Sequence, residues 1–180
     1  PSLLGSGQNP LEFFPACPRF GSMSYLSGLM RPEQVHMELR ARDKPGVLKE
    51  LVELVPELEH EPVTRESFLK ALLERERMHT TAIGEGIALP HARNPLGGLL
   101  TRPLLVFGRH AQGVEFGALD RHPVHLFFLL AAPQLTDHLA MLARLSRVLR
   151  DPKTRAALLA MKKRNELAAV LDAAELRSAR

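Results

Sequence analysis

Apolar and polar residues alternate in "VHMELRA" (35–41). That spacing puts Val35, Met37 and Leu39 on one side and predicts a half-buried strand. The period then lengthens. In "PGVLKELVELV", Leu48, Leu51, Leu54 and Val55 share a helical face, and Pro45 suits a helix start. In "TRESFLKALLERERM", Phe68, Leu69, Leu72 and Leu73 make a second stripe, with Thr64 as the expected N-cap and an end near Met78. Two compact apolar runs led by proline, "PLLVFGR" (103–109) and "PVHLFFLLAAP" (123–133), read as strands, the second buried on both faces. "EFGALDRHP" connects them. "TDHLAMLARLSRVLRD" follows as an amphipathic helix, with Thr136 as N-cap and Leu139, Leu142, Leu145, Val148 and Leu149 inward. "PKTRAALLAM" and "NELAAVLDAAEL" predict two more helices, opened by Pro152 and Asn165. Strands and helices interleave, so the class is α/β.

Residues 1–30 hold neither period and are rich in Pro, Gly and Ser. They read as a flexible N-terminal extension or a leader segment, with the folded domain over 31–180. Phe13, Phe14 and Phe20 are the residues there suited to docking on the domain or on a neighbouring subunit of a homo-oligomer.

The composition narrows the classes. Of 180 residues, 45 % are hydrophobic and 24 % charged, which fits a globular domain with one substantial core. The net charge of +4 is mild, aromatics are 5 % and tryptophan is absent, so stacking platforms for nucleic acid are poorly supplied. The late basic clusters are mixed with acids and read as solvated helix faces. A single cysteine, Cys17, excludes a disulfide framework and a paired-cysteine metal site. No apolar run reaches the roughly 18 residues of a membrane span, and the start lacks a signal-peptide pattern. These features together point to a cytoplasmic protein without a membrane span.

The chemistry concentrates in "GEGIALPHAR", Gly84–Arg93. Gly84 and Gly86 permit a tight turn, "IALP" reads as a short strand with Ile87 and Leu89 on one face, and Pro90 restricts the backbone on both sides of itself. His91 is thus delivered at a strand end with little freedom, as a group that must meet a reactant requires. A neutral imidazole is nucleophilic near pH 7 and forms a phosphohistidine when it attacks a phosphoryl group. The transferred group is anionic and calls for cations or oriented N–H donors. Arg75, at the end of the second helix, and His138, in the first turn of a later one, are candidates to supply them.

"RERMHTTAIGEGIALPHAR", Arg75–Arg93, resembles the active-site segment of the fructose/mannitol-type enzyme IIA domains of the bacterial phosphotransferase system, most closely their nitrogen-regulatory branch. The resemblance runs on through "EFGALDRHPVHLFFLLAAP" and "TDHLAMLARLSRVL" and covers roughly residues 35 to 175. It implies a mixed parallel/antiparallel sheet with helices on both sides, in agreement with the interleaved pattern. It also implies His91 as the phosphoryl acceptor through Nε2, Arg75 as a neutralising cation and His138 as the second active-site histidine. The implied donor is a phosphorylated HPr or its nitrogen-type counterpart. The implied output is regulatory, or alternatively delivery of the group to a IIB permease domain as a sugar-specific IIA component. A binding module that has lost phosphorylation is the remaining alternative, and the intact Arg75, His91 and His138 speak against it. No cofactor is implied. Thr80 and Thr81 fill the Ser/Thr places of the motif and are expected to contact phosphate. Three places depart from the pattern: His79 replaces a small residue, Glu85 stands between the glycines where it is expected to face solvent, and Gly117 replaces an acidic residue.

Two competing readings are weak. His122 and His125 have an H-x-x-H spacing, but on a strand they face opposite sides and no further ligands complete a metal site. "RARDKPGVLKELVELV" resembles the first strand, loop and helix of ACT domains, small-molecule-binding regulatory modules. The charged helix and the His91 motif that follow do not fit one.

Overall fold

The computed structural model describes residues 25–92, 96 and 98–179. Phe13, Phe14 and Phe20, Cys17 and Arg93 lie outside the described residues. The chain runs β1 (Val35–His36), α1 (Lys44–Glu53), α2 (Pro62–Met78), β2 (Ala82–Gly84), β3 (Ile87–Ala88), β4 (Leu104–Val114), β5 (Val124–Ala131), α3 (Leu135–Leu149), α4 (Pro152–Ala160) and α5 (Glu166–Ser178).

The five strands form one sheet in the order β1-β4-β5-β3-β2. Strands β1 and β4, and β3 and β5, are parallel, whereas β4–β5 and β2–β3 are antiparallel. Alternation along β5 splits the core in two. Phe127, Leu129 and Ala131 pack with Leu48, Leu51, Phe68 and Leu72 of α1 and α2. Leu126, Phe128 and Leu130 pack with Met141, Leu145, Leu158, Leu167 and Leu171 of α3–α5. A mixed sheet covered by helices on both faces is the architecture expected from the sequence. The central strand, β5, is apolar apart from the half-buried His125 because both of its faces are covered.

Several boundaries differ from expectation. The run 35–41 pairs as a strand only at Val35 and His36. There the imidazole Nδ1 of His36 accepts the Glu38 N–H (3.2 Å), and the chain bends out of the ladder. Val35 then packs on the α3–α5 side and Leu39 on the α1–α2 side, so the alternation does not mark one face. Strand β4 continues past Arg109 to Val114 through a register shift. Its last residues include exposed Ala111 and Gln112, which give no apolar signal.

Neither expected threonine cap forms. Helix α2 starts at Pro62 after Glu61, and α3 starts at Leu135 after Gln134, both without a side-chain cap, so Thr64 and Thr136 sit inside first turns. Asp43 and Asp151 do cap α1 and α4, accepting from the N–H groups of Gly46 (2.8 Å) and Lys153 (3.0 Å). Leu139 is 56 % exposed rather than inward. Steps of three residues along a helix of 3.6 per turn drift off the face set by Leu145, Val148 and Leu149, and His138 and Met141 take the buried places instead.

The boundary expected near residue 30 falls within packed structure. Leu26 is fully buried among α3–α5, and its N–H donates to Glu175 of α5 (3.0 Å).

Candidate active site

Three consecutive residues take left-handed backbone: Gly84 (φ 87°), Glu85 (φ 54°) and Gly86 (φ 73°). The glycines tolerate this; Glu85 carries the strain of a side chain there. Asp120, from the β4–β5 connection, holds the turn by accepting the Glu85 N–H (2.7 Å). That contact and the His122 N–H keep the Asp120 carboxyl below the usual range. The Glu85 carboxylate faces solvent, as expected, and meets the Arg155 guanidinium at 3.2 Å.

Beyond the turn, the Gly86 carbonyl accepts the N–H groups of His125 (2.8 Å) and Leu126 (3.0 Å), which opens the parallel ladder on β5. Ile87 and Leu89 then point into the α3–α5 side of the core and Ala88 into the other. The Pro90 carbonyl accepts the Leu130 N–H (2.9 Å), and His91 bridges to Leu130 in parallel fashion. His91 therefore stands at the carboxyl end of two parallel strands, where α/β sheets place their reactive groups. Its Nδ1 is 2.7 Å from the Leu89 carbonyl oxygen. A carbonyl only accepts, so Nδ1 carries the proton in the neutral ring and the Nε2 lone pair is left free.

Strand β5 leads at once into α3, whose first turn carries His138. The two imidazole centroids are 5.1 Å apart and their planes 59° apart. His138 is 8 % exposed. Its N–H is bonded within the helix, and α3 begins with no side-chain cap over its first N–H groups. Arg75, near the end of α2, donates from Nη1 to the His79 carbonyl (2.9 Å), which tightens the turn that follows. Burial, and then the Arg75 charge and the Glu76 charge in opposite senses, set His91: it is held below the ordinary histidine value despite its bond to Leu89. His138 is held low by burial, then by His91 and Arg75. The structure thus brings His91 and His138 into ring contact and places Arg75 where its charge acts on both.

The flanking threonines are engaged. Thr80 Oγ donates to the Phe116 carbonyl (2.9 Å). Thr81 donates both its N–H (2.9 Å) and its hydroxyl (2.6 Å) to one oxygen of the Glu76 carboxylate. His79 is exposed at the end of α2. Gly117 takes φ 73°, and its N–H donates to Glu115. His122 lies beside Asp120 in the connection, while the His125 Nδ1 meets the His110 carbonyl, so the two do not converge. Among the described residues no group of three or more His, Cys, Asp or Glu is placed to hold a metal. None of the helices in those residues is long and apolar enough to cross a membrane.

Sequence reasoning missed Asp120 and Lys44. Asp120 is 35 positions from the turn it holds, and nothing local signals that contact. Lys44 lies in the "DKPGVL" stretch that resembles another fold.

The family model of the phosphoenolpyruvate-dependent sugar phosphotransferase system, EIIA 2, matches residues 28–174. A nitrogen regulatory protein of Bradyrhizobium diazoefficiens is 36 % identical over 128 residues, 70 % of this chain and 80 % of that protein. A PTS fructose-specific EIIA component of Haloferax volcanii is 35 % identical over 129 residues, 71 % of this chain and 81 % of that protein. The crystal structure of nitrogen regulatory protein IIA-Ntr from Neisseria meningitidis superposes with a TM-score of 0.72 at 24 % identity, covering 82 % of this chain and 99 % of that one, and shows the shared fold.

Proposed function

The chain belongs to the EIIA 2 family of the phosphoenolpyruvate-dependent sugar phosphotransferase system, and we propose that, as a IIA domain, it carries a phosphoryl group on Nε2 of His91. The observation that supports this reading most is the 2.7 Å bond from Nδ1 to the Leu89 carbonyl beside a second imidazole and a guanidinium. In the step, the Nε2 lone pair forms a bond to phosphorus while the donor's phosphorus–nitrogen bond breaks and its electron pair returns to the donor imidazole. His91 keeps its Nδ1 proton against Leu89, and the developing imidazolium is stabilised by that carbonyl. Arg75 balances the charge of the phosphoryl oxygens. His138 offers an N–H to one of them, with the positive end of α3 behind it. Thr80 acts as a phosphate contact by turning its hydroxyl away from the Phe116 carbonyl, while Thr81 keeps its hydroxyl on the buried Glu76 carboxylate and serves the site by holding the turn.

The donor is a phosphorylated HPr-type protein, the place is the cytoplasm and the output is nitrogen-type regulation. The regulatory reading is supported by the Bradyrhizobium relative, matched over most of its length. The Haloferax relative supports the second reading, transfer to a sugar-specific IIB domain.

The test uses enzyme I, an HPr-type donor and labelled phosphoenolpyruvate with the full chain and with His91→Ala. Acid-labile, base-stable label on the wild type alone is the expected result. Absence of label with every donor of the class would overturn the reading. Acceptance of the group by a IIB domain would select the second output.

A further inference from the structure

The α1 N-terminus reaches the site through one side chain. Lys44 Nζ lies 3.0 Å from Oε1 of Glu76, the residue after Arg75 on α2. Glu76 is 5 % exposed, and its other oxygen accepts both Thr81 donors. The Thr81 carbonyl in turn accepts the Leu89 N–H (3.0 Å), two residues before His91. Lys44 Nζ also sits 4.8 Å from the centre of the Phe116 ring, whose residue's carbonyl takes the Thr80 hydroxyl. A single ammonium thus joins α1, the Arg75 end of α2, the 79–81 turn and the β4–β5 connection. The Glu76 charge is felt at His91 itself.

We propose that Lys44 is a positioning residue for phosphoryl transfer: its ion pair with the buried Glu76 carboxylate keeps the 79–81 turn closed on β3 and so fixes Arg75 against His91. The inference rests on His91 being the acceptor. A carboxylate that is nearly out of water needs a counter-charge as well as hydrogen bonds. Without Lys44, the remaining partners that hold it are the neutral donors of Thr81. The turn then opens to hydrate the carboxylate, the Thr81 bonds lengthen, and Arg75 loses the His79 carbonyl that fixes its guanidinium. A displacement of about 1 Å in such a site lowers transfer by up to about a hundredfold.

The test compares wild type, Lys44→Met, Lys44→Arg, Glu76→Gln and the Lys44→Met/Glu76→Gln double variant. Two measurements are made: the rate of label transfer from a phosphorylated HPr-type donor, and amide hydrogen exchange at Thr81 and at Leu145 in the interior of α3. Expected for Lys44→Met are transfer about tenfold slower or more and faster exchange at Thr81 with Leu145 unchanged. Lys44→Arg restores both, because the charge is kept. In the double variant the amide oxygen still accepts from Thr81 and no unpaired charge remains, so it is no slower than the slower single variant. Transfer by Lys44→Met at the wild-type rate overturns the proposal, as do equal losses of protection at Thr81 and Leu145, or single effects that simply multiply. Absence of label on the wild type overturns the acceptor reading together with this one, so the two failures are told apart.

Discussion

The imidazoles of His91 and His138 face each other with centroids 5.1 Å apart, one from a strand end and the other from a helix start. Each is drawn below the ordinary histidine value, with burial as the first cause and the Arg75 charge among the rest. Two partly buried imidazoles beside a guanidinium favour the uncharged forms, which leaves one nucleophile and one N–H donor. Replacing His138 by Ala removes the donor and leaves the nucleophile. Label from a phosphorylated donor is expected to reach His91 still, about ten- to a hundredfold more slowly. Retention of the wild-type initial rate would remove His138 from the transfer step.

The same shifts fix a pH dependence. In the folded chain both histidines stay neutral to lower pH than in the unfolded chain, whose histidines titrate near 6.5. On acidification the unfolded state therefore takes up protons first. Stability falls as the pH drops through about 6.5 and levels off below the two folded values. Ring resonances of His91 followed by NMR from pH 8 to 4.5 should show a midpoint below 6.5. His91→Asn should flatten part of the stability slope, measured by urea denaturation across that window.

The glycine turn makes a paired prediction. Glu85 adopts φ 54°, whereas Gly86, at φ 73°, has ordinary room for a Cβ, 3.5 Å from His125 Cδ2. Backbone strain, not a clash, is thus the shared term. Gly86→Ala should cost about 1–2 kcal/mol. Glu85→Gly should be neutral to stabilising by up to about 1 kcal/mol, since relief of strain exceeds the loss of an exposed ion pair with Arg155. Chemical denaturation of the two variants checks the opposite signs.

Asp120 ties the turn from the other side of the sheet edge. Its carboxyl is held low first by the Glu85 N–H and then by the His122 N–H. A depressed carboxyl contributes stability above its unfolded value of 3.8 and loses it as the pH falls through the folded value. Asp120→Asn should therefore lower stability at pH 5 and shrink the further loss on going to pH 3. An unchanged acid limb in thermal melts would show that the turn does not depend on this carboxylate.

Arg75 separates function from folding. It is half-buried, and its one bonded partner among the described residues is the His79 carbonyl (2.9 Å). Arg75→Met keeps the apolar stem and should leave stability within about 1 kcal/mol. Transfer to His91 should slow by about a hundredfold. Unfolding of this variant, read by circular dichroism, would instead assign the guanidinium a structural role.

The legible parts were those that a short window encodes. Gly84 and Gly86 allow a left-handed turn and Pro90 restricts the backbone around itself, so the delivery of His91 could be read from ten residues. Past His125 the β5 run is apolar because both faces are covered, and that too shows in composition. Errors arose where a window underdetermines the geometry. Leu39 and Val35 share a parity in sequence but not a face, because the chain bends after His36. Leu139 continues a spacing of three but leaves the buried face, which is set by where α3 lies on the sheet. Gln134 and Glu61, not the nearby threonines, precede their helices, since tertiary packing stabilises the first turns without a side-chain cap.

The sequence alone determined that His91 follows a glycine turn and a proline at a strand end, because torsional preference is local. Tertiary structure decided what surrounds it. Asp120 holds the turn across 35 positions, Lys44 reaches Glu76 across 32, and His138 meets His91 only because β5, lying alongside β3, feeds straight into α3. Charge and hydrogen bonding act through space over a few ångströms, and only the folded sheet converts those sequence separations into such distances.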